Sequence, residues 1–157
     1  MKKVRYLIPL LIFSLILGSC SLGMLFRNPL KLVSEELGLN VSSGTVISDT
    51  DTHGGFLGDG YTVMSISFGN DSVLESISKD GRWQEFPLDE TMNALVYDYL
   101  RDDDGNTLIP EINNGWHILI DHQTDQDTPI LDRYSFNYTV GLYDTVRDIL
   151  YYGRFDT

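Results

Sequence analysis

One cysteine, Cys20, occurs in 157 residues. A disulfide within the chain is therefore excluded, and so are a thiolate metal site and a cysteine nucleophile in the region that follows it. Basic residues are scarce as well: 11 Lys and Arg stand against 23 Asp and Glu, for a formal charge of −12. Such a surface repels phosphate backbones and anionic lipid headgroups, so no nucleic-acid partner is expected. No apolar run reaches the roughly 20 residues that a membrane-spanning helix needs. There is no Gly-x-Ser-x-Gly elbow for a serine nucleophile, and no glycine-rich loop carries the Lys-Ser/Thr of a P-loop. Long Gly/Ser linkers, repeats and low-complexity tracts are also missing. Aromatics are not scarce, at 11%, and they argue against disorder.

The first twenty residues carry a recognisable pattern. Lys2, Lys3 and Arg5 precede an almost wholly apolar stretch, Tyr6 to Leu17, interrupted by Pro9; Leu17-Gly18-Ser19-Cys20 follows. This resembles a bacterial lipoprotein signal with its lipobox. The resemblance implies Sec export, cleavage just ahead of Cys20, a diacylglyceryl thioether on Cys20, and a place on the extracytoplasmic face of a cell membrane. Two acyl chains meet the two-signal condition for stable anchoring. On this reading residues 1–19 are a signal peptide, residues 20–27 are the lipidated cysteine and a short tether, and residues 28–157 are one domain. Removing residues 1–19 from the 157 would leave 138, enough for one core. Three of the eleven basic residues lie in that leader, so the remainder holds 8 Lys and Arg against 23 Asp and Glu, a charge of −15.

Beyond the tether, caps and periodicity predict the elements. Asn28-Pro29 reads as an N-cap with proline at the first helical position, Leu30, Val33 and Leu37 form a stripe, and Gly38 ends the helix. Val41 to Ile47 is β-branched and predicts a strand. Tyr61 to Phe68 alternates, with Thr62, Met64, Ile66 and Phe68 on one side. A second short helix is expected from Ser72, with Ser72 and Glu75 as a capping box and Gly81 at its end. Asp89 caps a third, Glu90 to Leu100. Trp116 to Asp121 predicts a strand, and the C-terminus a hairpin turning at Asp144 to Asp148. The expectation is a single α+β domain: an antiparallel sheet of about five strands with two to three short helices on one face.

The most unusual stretch runs from Ser48 to Gly60 and holds four glycines, three aspartates and a histidine. Its candidate functional residues are Asp49, Asp51, His53, Gly54, Gly55 and Asp59. Asp49-x-Asp51-x-His53-Gly54 matches part of a calcium-binding EF-hand loop, but the position of the bidentate glutamate is Gly60. Imidazole and carboxylate are also zinc ligands, and His122 would join Asp49, Asp51 and His53 if its strand ends near the loop. Calcium and zinc are therefore the candidate ions. A histidine beside Asp51 or Asp59 also suits acid–base chemistry. Against these stands a bland reading: glycines supply turns, and His53 and the aspartates bond the loop's own amides. The acidic runs Asp102 to Asn106 and Asp121 to Asp127 read as solvated turns.

Asp51-Thr52-His53-Gly54-Gly55-Phe56-Leu57-Gly58-Asp59-Gly60 and the closing hairpin, Leu142-Tyr143-Asp144 through Phe155-Asp156-Thr157, resemble a group of small exported or lipid-anchored proteins of low-GC Gram-positive bacteria. That resemblance implies one compact domain at a membrane and carries over no catalytic residue. Two functions follow from the residues. One is a non-enzymatic module that binds a protein or cell-envelope partner. The other is a metal- or histidine-dependent hydrolase using the Asp49–Gly60 loop.

Overall fold

A computed structural model describes residues 28–54, 58–125 and 127–157. The signal segment, Cys20, the tether and, within the glycine-rich loop, Gly55 lie outside the described residues. The elements in chain order are helix α1 (Pro29–Leu37), strands β1 (Thr45–Asp51) and β2 (Gly60–Ser67), helix α2 (Ser72–Lys79), a two-residue strand β3 (Gln84–Glu85), helix α3 (Glu90–Ala94) continued by a π-helical stretch (Leu95–Tyr99), strand β4 (Gly115–Asp121), and strands β5 (Asn137–Asp144) and β6 (Ile149–Asp156). The six strands form one sheet in the order β1-β2-β6-β5-β4-β3. Every pairing is antiparallel. This is the expected single α+β domain, with one strand more than expected because the short β3 pairs with Trp116 and His117.

The helix ends follow their local chemistry. In α1 the Asn28 side chain accepts from the Lys31 amide at 3.2 Å, Pro29 opens the first turn, and Gly38 leaves the helix at φ 69°. Arg82 then donates to the Leu37 carbonyl at 3.0 Å, so a distant cation closes the helix C-terminus. In α3 Asp89 accepts from the Met92 amide at 2.7 Å. The capping box expected at Ser72 and Glu75 does not form. Asp71 is the N-cap without a side-chain bond, and Asn70 instead accepts from the Ser72 amide. That helix ends at Lys79, with Asp80 rather than Gly81 as its C-cap.

Strand β1 is also displaced from its expected place. Val41 is fully buried, but in the turn between α1 and β1, where its amide bonds Ser34 Oγ and its carbonyl accepts from Gly44. Pairing with β2 begins at Thr45 and runs on to Asp51, so Asp49 and Asp51 sit in a strand and not in a loop. A bulge at Ile47 interrupts the ladder and turns that side chain outward, 57% exposed, on an edge strand.

The helices do not share one face of the sheet. Val33 and Leu37 of α1 and Val73 and Ile77 of α2 pack with Met64, Ile66, Ile118, Tyr143, Leu150 and Tyr152. Met92 of α3, with Leu95, Val96 and Leu100, packs with Val63, Tyr138, Val140, Leu142 and Tyr151 on the other face. Alternate residues of β2, β5 and β6 thus enter two cores, which is why Tyr138 to Asp144 are buried without a break. Burial pushes the Tyr138 phenol well above its ordinary pKa, so it stays a donor, and it donates to the Leu95 carbonyl at 2.8 Å. Among the described residues no helix is long and apolar enough to cross a membrane.

Candidate functional site

The first face of the sheet is apolar along most of its length and polar at one end. Met64, Ile66, Leu150, Tyr152 and Tyr143 give way to Thr62 on β2, Arg154 and Asp156 on β6, and Thr139 on β5. Registration places Thr62, Arg154 and Thr139 side by side across three neighbouring strands. Helix α1 covers this end and brings Glu36 down onto it. The β1–β2 loop closes over the end of β2, where Thr52 donates its amide to the Tyr61 carbonyl at 2.9 Å and Thr52 Oγ1 accepts from the Tyr61 amide at 2.9 Å. That closure sets His53 above β6.

The result is a continuous chain of hydrogen bonds and ion pairs. Asp51 Oδ1 accepts from the His53 amide at 3.1 Å and from Thr62 Oγ1 at 3.2 Å, and lies 2.8 Å from His53 Nδ1. The other ring nitrogen, Nε2, lies 3.2 Å from Asp156 Oδ2. Arg154 Nε donates to that same oxygen at 2.8 Å, and its Nη1 donates to Glu36 Oε1 at 3.1 Å. Glu36 Oε2 accepts from Thr139 Oγ1 at 3.1 Å and faces His122 Nε2 at 3.3 Å. His122 Nε2 is also 2.9 Å from Thr139 Oγ1. Helix α1, the end of β1 with the loop after it, and strands β2, β5 and β6, with His122 just beyond β4, are joined in this way, with Arg154 at the centre. Burial alone would pull its pKa down; the hydrogen bond and charge of Asp156, with the charge of Glu36, outweigh burial and raise it.

These groups line or back an open cleft of about 830 Å³. Asp51, His53, Asp59, His122, Arg154 and Asp156 are among the residues at its surface, with Phe136 and Asn137 in its wall. The sequence candidates therefore divide. Asp51, His53 and His122 reach one cleft, as the placement of His122 at the end of β4 required. Asp59 stands exposed at the rim. Gly54 is exposed beside His53, and Asp49, two residues before Asp51, is exposed and not among the residues that line the cleft.

The donors that would hold a metal are turned on each other instead of on a common point. His53 is held between Asp51 and Asp156, and His122 is tied to a different carboxylate, Glu36. Among the described residues no three His, Cys, Asp or Glu side chains converge as a metal ion requires. In the acidic turn at 102–106, Asp102 accepts from the amides of Asp104 and Asn106 at 3.0 and 2.7 Å and from Asn106 Nδ2 at 3.0 Å. These bonds, those from Asn106 first, hold its carboxyl below the ordinary range. It is a self-satisfied turn.

For catalysis, the Asp51–His53 contact has the form of an orienting carboxylate on an imidazole. In a nucleophile–base–carboxylate arrangement the far ring nitrogen meets a hydroxyl or thiol. Here it meets a second carboxylate. A neutral imidazole has one N–H, so both contacts are hydrogen bonds at once only when both nitrogens carry a proton. Each ring nitrogen faces a carboxylate oxygen.

Glu36, Arg154, Asp156 and Asn137 were not singled out by motif. A signal for two of them is present in the hairpin: in Leu150, Tyr152, Arg154, Asp156 an alternating apolar face turns charged for its last two positions. No family model, curated protein or solved structure matches this chain.

Proposed function

We propose that the protein is an extracytoplasmic binding module, held to a membrane by lipid on Cys20, which takes its ligand in the cleft around His53. The observation that carries the binding part is the placement of the His53 ring between two carboxylates. It acts as a clasp that ties the β1–β2 loop to β6, with each ring nitrogen facing a carboxylate and neither a hydroxyl or thiol nucleophile. The lipobox residues Leu17 to Cys20 support the anchor, and the described fold begins at Asn28, close behind it in sequence. A partner in the cell envelope, either a protein or a wall component, fits that placement and the acidic surface.

A histidine-dependent hydrolase is the second reading, favoured by the 2.8 Å contact between Asp51 and His53. One paired experiment separates the two. The full chain is expressed in an exporting bacterial host beside Cys20→Ser and His53→Ala. The binding reading expects lipid mass on Cys20, loss of membrane association in Cys20→Ser, and no turnover of ester, amide, phosphoester or glycoside substrates by the wild type. Turnover that disappears in His53→Ala would overturn it in favour of the enzyme, and an unmodified Cys20 in a membrane-free protein would overturn the anchor.

A further inference from the structure

We infer that the cleft carries a proton switch, in which His53 and His122 let go of the carboxylates of Asp51 and Glu36 as each ring loses a proton. This goes beyond the binding reading, since it concerns the protons of the cleft and not its occupant. The warrant is a triangle of groups that occurs twice. Around His53, Nδ1 lies 2.8 Å from Asp51 Oδ1 and 3.2 Å from Thr62 Oγ1, and that hydroxyl donates to Asp51 Oδ1 at 3.2 Å. Around His122, Nε2 lies 3.3 Å from Glu36 Oε2 and 2.9 Å from Thr139 Oγ1, and that hydroxyl donates to Glu36 Oε2 at 3.1 Å. Each triangle joins a ring nitrogen, a carboxylate oxygen and a threonine hydroxyl. The first ties the end of β1 to β2, and the second ties α1 to β5.

The threonines give the switch its two states. Thr62 is 2% exposed and Thr139 is 0% exposed, so neither hydroxyl turns to bulk water. A hydroxyl has one proton to donate. While the ring nitrogen is protonated, the ring and the hydroxyl both donate to the carboxylate. Once that nitrogen is bare, its lone pair faces the carboxylate, and the hydroxyl turns to the nitrogen instead. The carboxylate then loses two donors together, and the ring's proton has gone to water. In His53 the nitrogen that becomes bare is Nδ1, because Nε2 lies 3.2 Å from Asp156 with no hydroxyl beside it and keeps its proton. In His122 it is Nε2. The charged groups around each ring come from several elements. His53 faces Asp51 on β1 and Asp156 on β6, Arg154 shares Asp156, and Asp59 lines the same cleft. His122 faces Glu36 of α1, whose other oxygen holds Arg154, and next to it in sequence Asp121 is paired with Arg133. Arg154 is charged throughout and keeps Glu36 and Asp156, so the elements stay joined while the cleft becomes more negative by one charge per ring. Asp51 is at the cleft surface. The switch therefore covers its charge in acid and presents it to the cleft in base.

The test is a proton inventory of the imidazoles in the full chain in detergent, made with nitrogen-labelled histidine. NMR correlations between ring carbons' protons and ring nitrogens tell a doubly protonated ring from either neutral tautomer. His53→Gln and His122→Gln assign the signals, and His117 is the third ring. At about pH 5 both rings should carry two protons; at about pH 8 His53 should keep its proton on Nε2 and His122 on Nδ1. Thr62→Val, which keeps the shape and removes the hydroxyl, should move the proton of neutral His53 from Nε2 to Nδ1, where it donates to Asp51. Thr62→Ser should restore Nε2. Thr139→Val should likewise move the proton of neutral His122 from Nδ1 to Nε2. The tautomers of the wild type decide alone if a valine variant does not fold. The inference is overturned by a ring already neutral at about pH 5 or still doubly protonated at about pH 8. It is equally overturned by the opposite tautomer in the wild type, or by folded valine variants whose tautomers are unchanged.

Discussion

Glu36→Gln probes the joint that holds helix α1 to the polar end of the sheet. The Glu36 side chain is 18% exposed and accepts from Arg154 Nη1 and Thr139 Oγ1, each at 3.1 Å. Glutamine has nearly the same shape and can keep one carbonyl oxygen toward Arg154. Its amide nitrogen then faces Thr139 and His122, where an acceptor stood. The change thus loses the charge from one ion pair and one acceptor from a shared site. A hydrogen bond to a charged group contributes about 1.5–3 kcal/mol. The Arg154 side chain is 33% exposed, so water screens part of this and the lower end applies. The expected loss is about 1.5 kcal/mol, or about 12-fold in the folding equilibrium. Urea unfolding of a soluble form beginning at Ser21 should show a lower midpoint and an unchanged slope. Arg154→Met, which keeps an apolar stem, should couple to Glu36→Gln by about 0.5–1 kcal/mol in a double-mutant cycle. A loss under a few tenths of a kcal/mol, with strict additivity, would refute the claim that Arg154 and Glu36 join α1 to the cleft.

Two other positions give independent checks. Gly115 has φ 150°, and a Cβ there would collide with the Tyr143 carbonyl across the β4–β5 ladder. Gly115→Ala should cost about 2–3 kcal/mol in urea unfolding, while Gly81→Ala, with open space around it, should fall within about 0.5 kcal/mol of wild type. His117 is buried, with the Phe86 ring edge-on at 5.6 Å, and burial lowers its pKa below 6.5, opposed by the charge of Asp89. The unfolded chain binds this proton more readily than the fold does. Its contribution is complete above about pH 6.5 and is lost as pH falls below it, by at most about 1.4 kcal/mol per pH unit. Melting temperatures from pH 7 to pH 5 should therefore fall less steeply in His117→Phe.

The elements most legible in the sequence were those fixed by short-range chemistry. Asn28-Pro29 with Gly38, and Asp89 before Glu90, gave helix ends that tertiary packing left in place. Thr62, Met64, Ile66 and Phe68 do share one buried side, as their alternation predicted, although Val63 on the other face of β2 is buried as well. What failed was governed by the second core. Leu150-Tyr151-Tyr152 and the unbroken burial of Tyr138 to Asp144 mark strands covered on both faces, whereas helices expected on one face would have covered only one. Val41 looked like a strand residue because it is β-branched and apolar, yet its burial comes from a turn. Within the site, Asp51 and His53 were visible because they lie two residues apart. Glu36 and Asp156 were not, because each reaches its partner across more than a hundred positions of sequence, Asp156 to His53 and Glu36 to Arg154. No local pattern reports a contact of that span.

The account turns on His53 as a clasp between the loop and β6, and a double-mutant cycle on His53→Ala and Asp156→Asn measures that directly. At 3.2 Å, with the two side chains 21% and 19% exposed, the pair should show a coupling of about 0.5–1.5 kcal/mol in urea unfolding. Additive losses, with no coupling, would mean that the ring is not held by Asp156 and that His53 is no clasp.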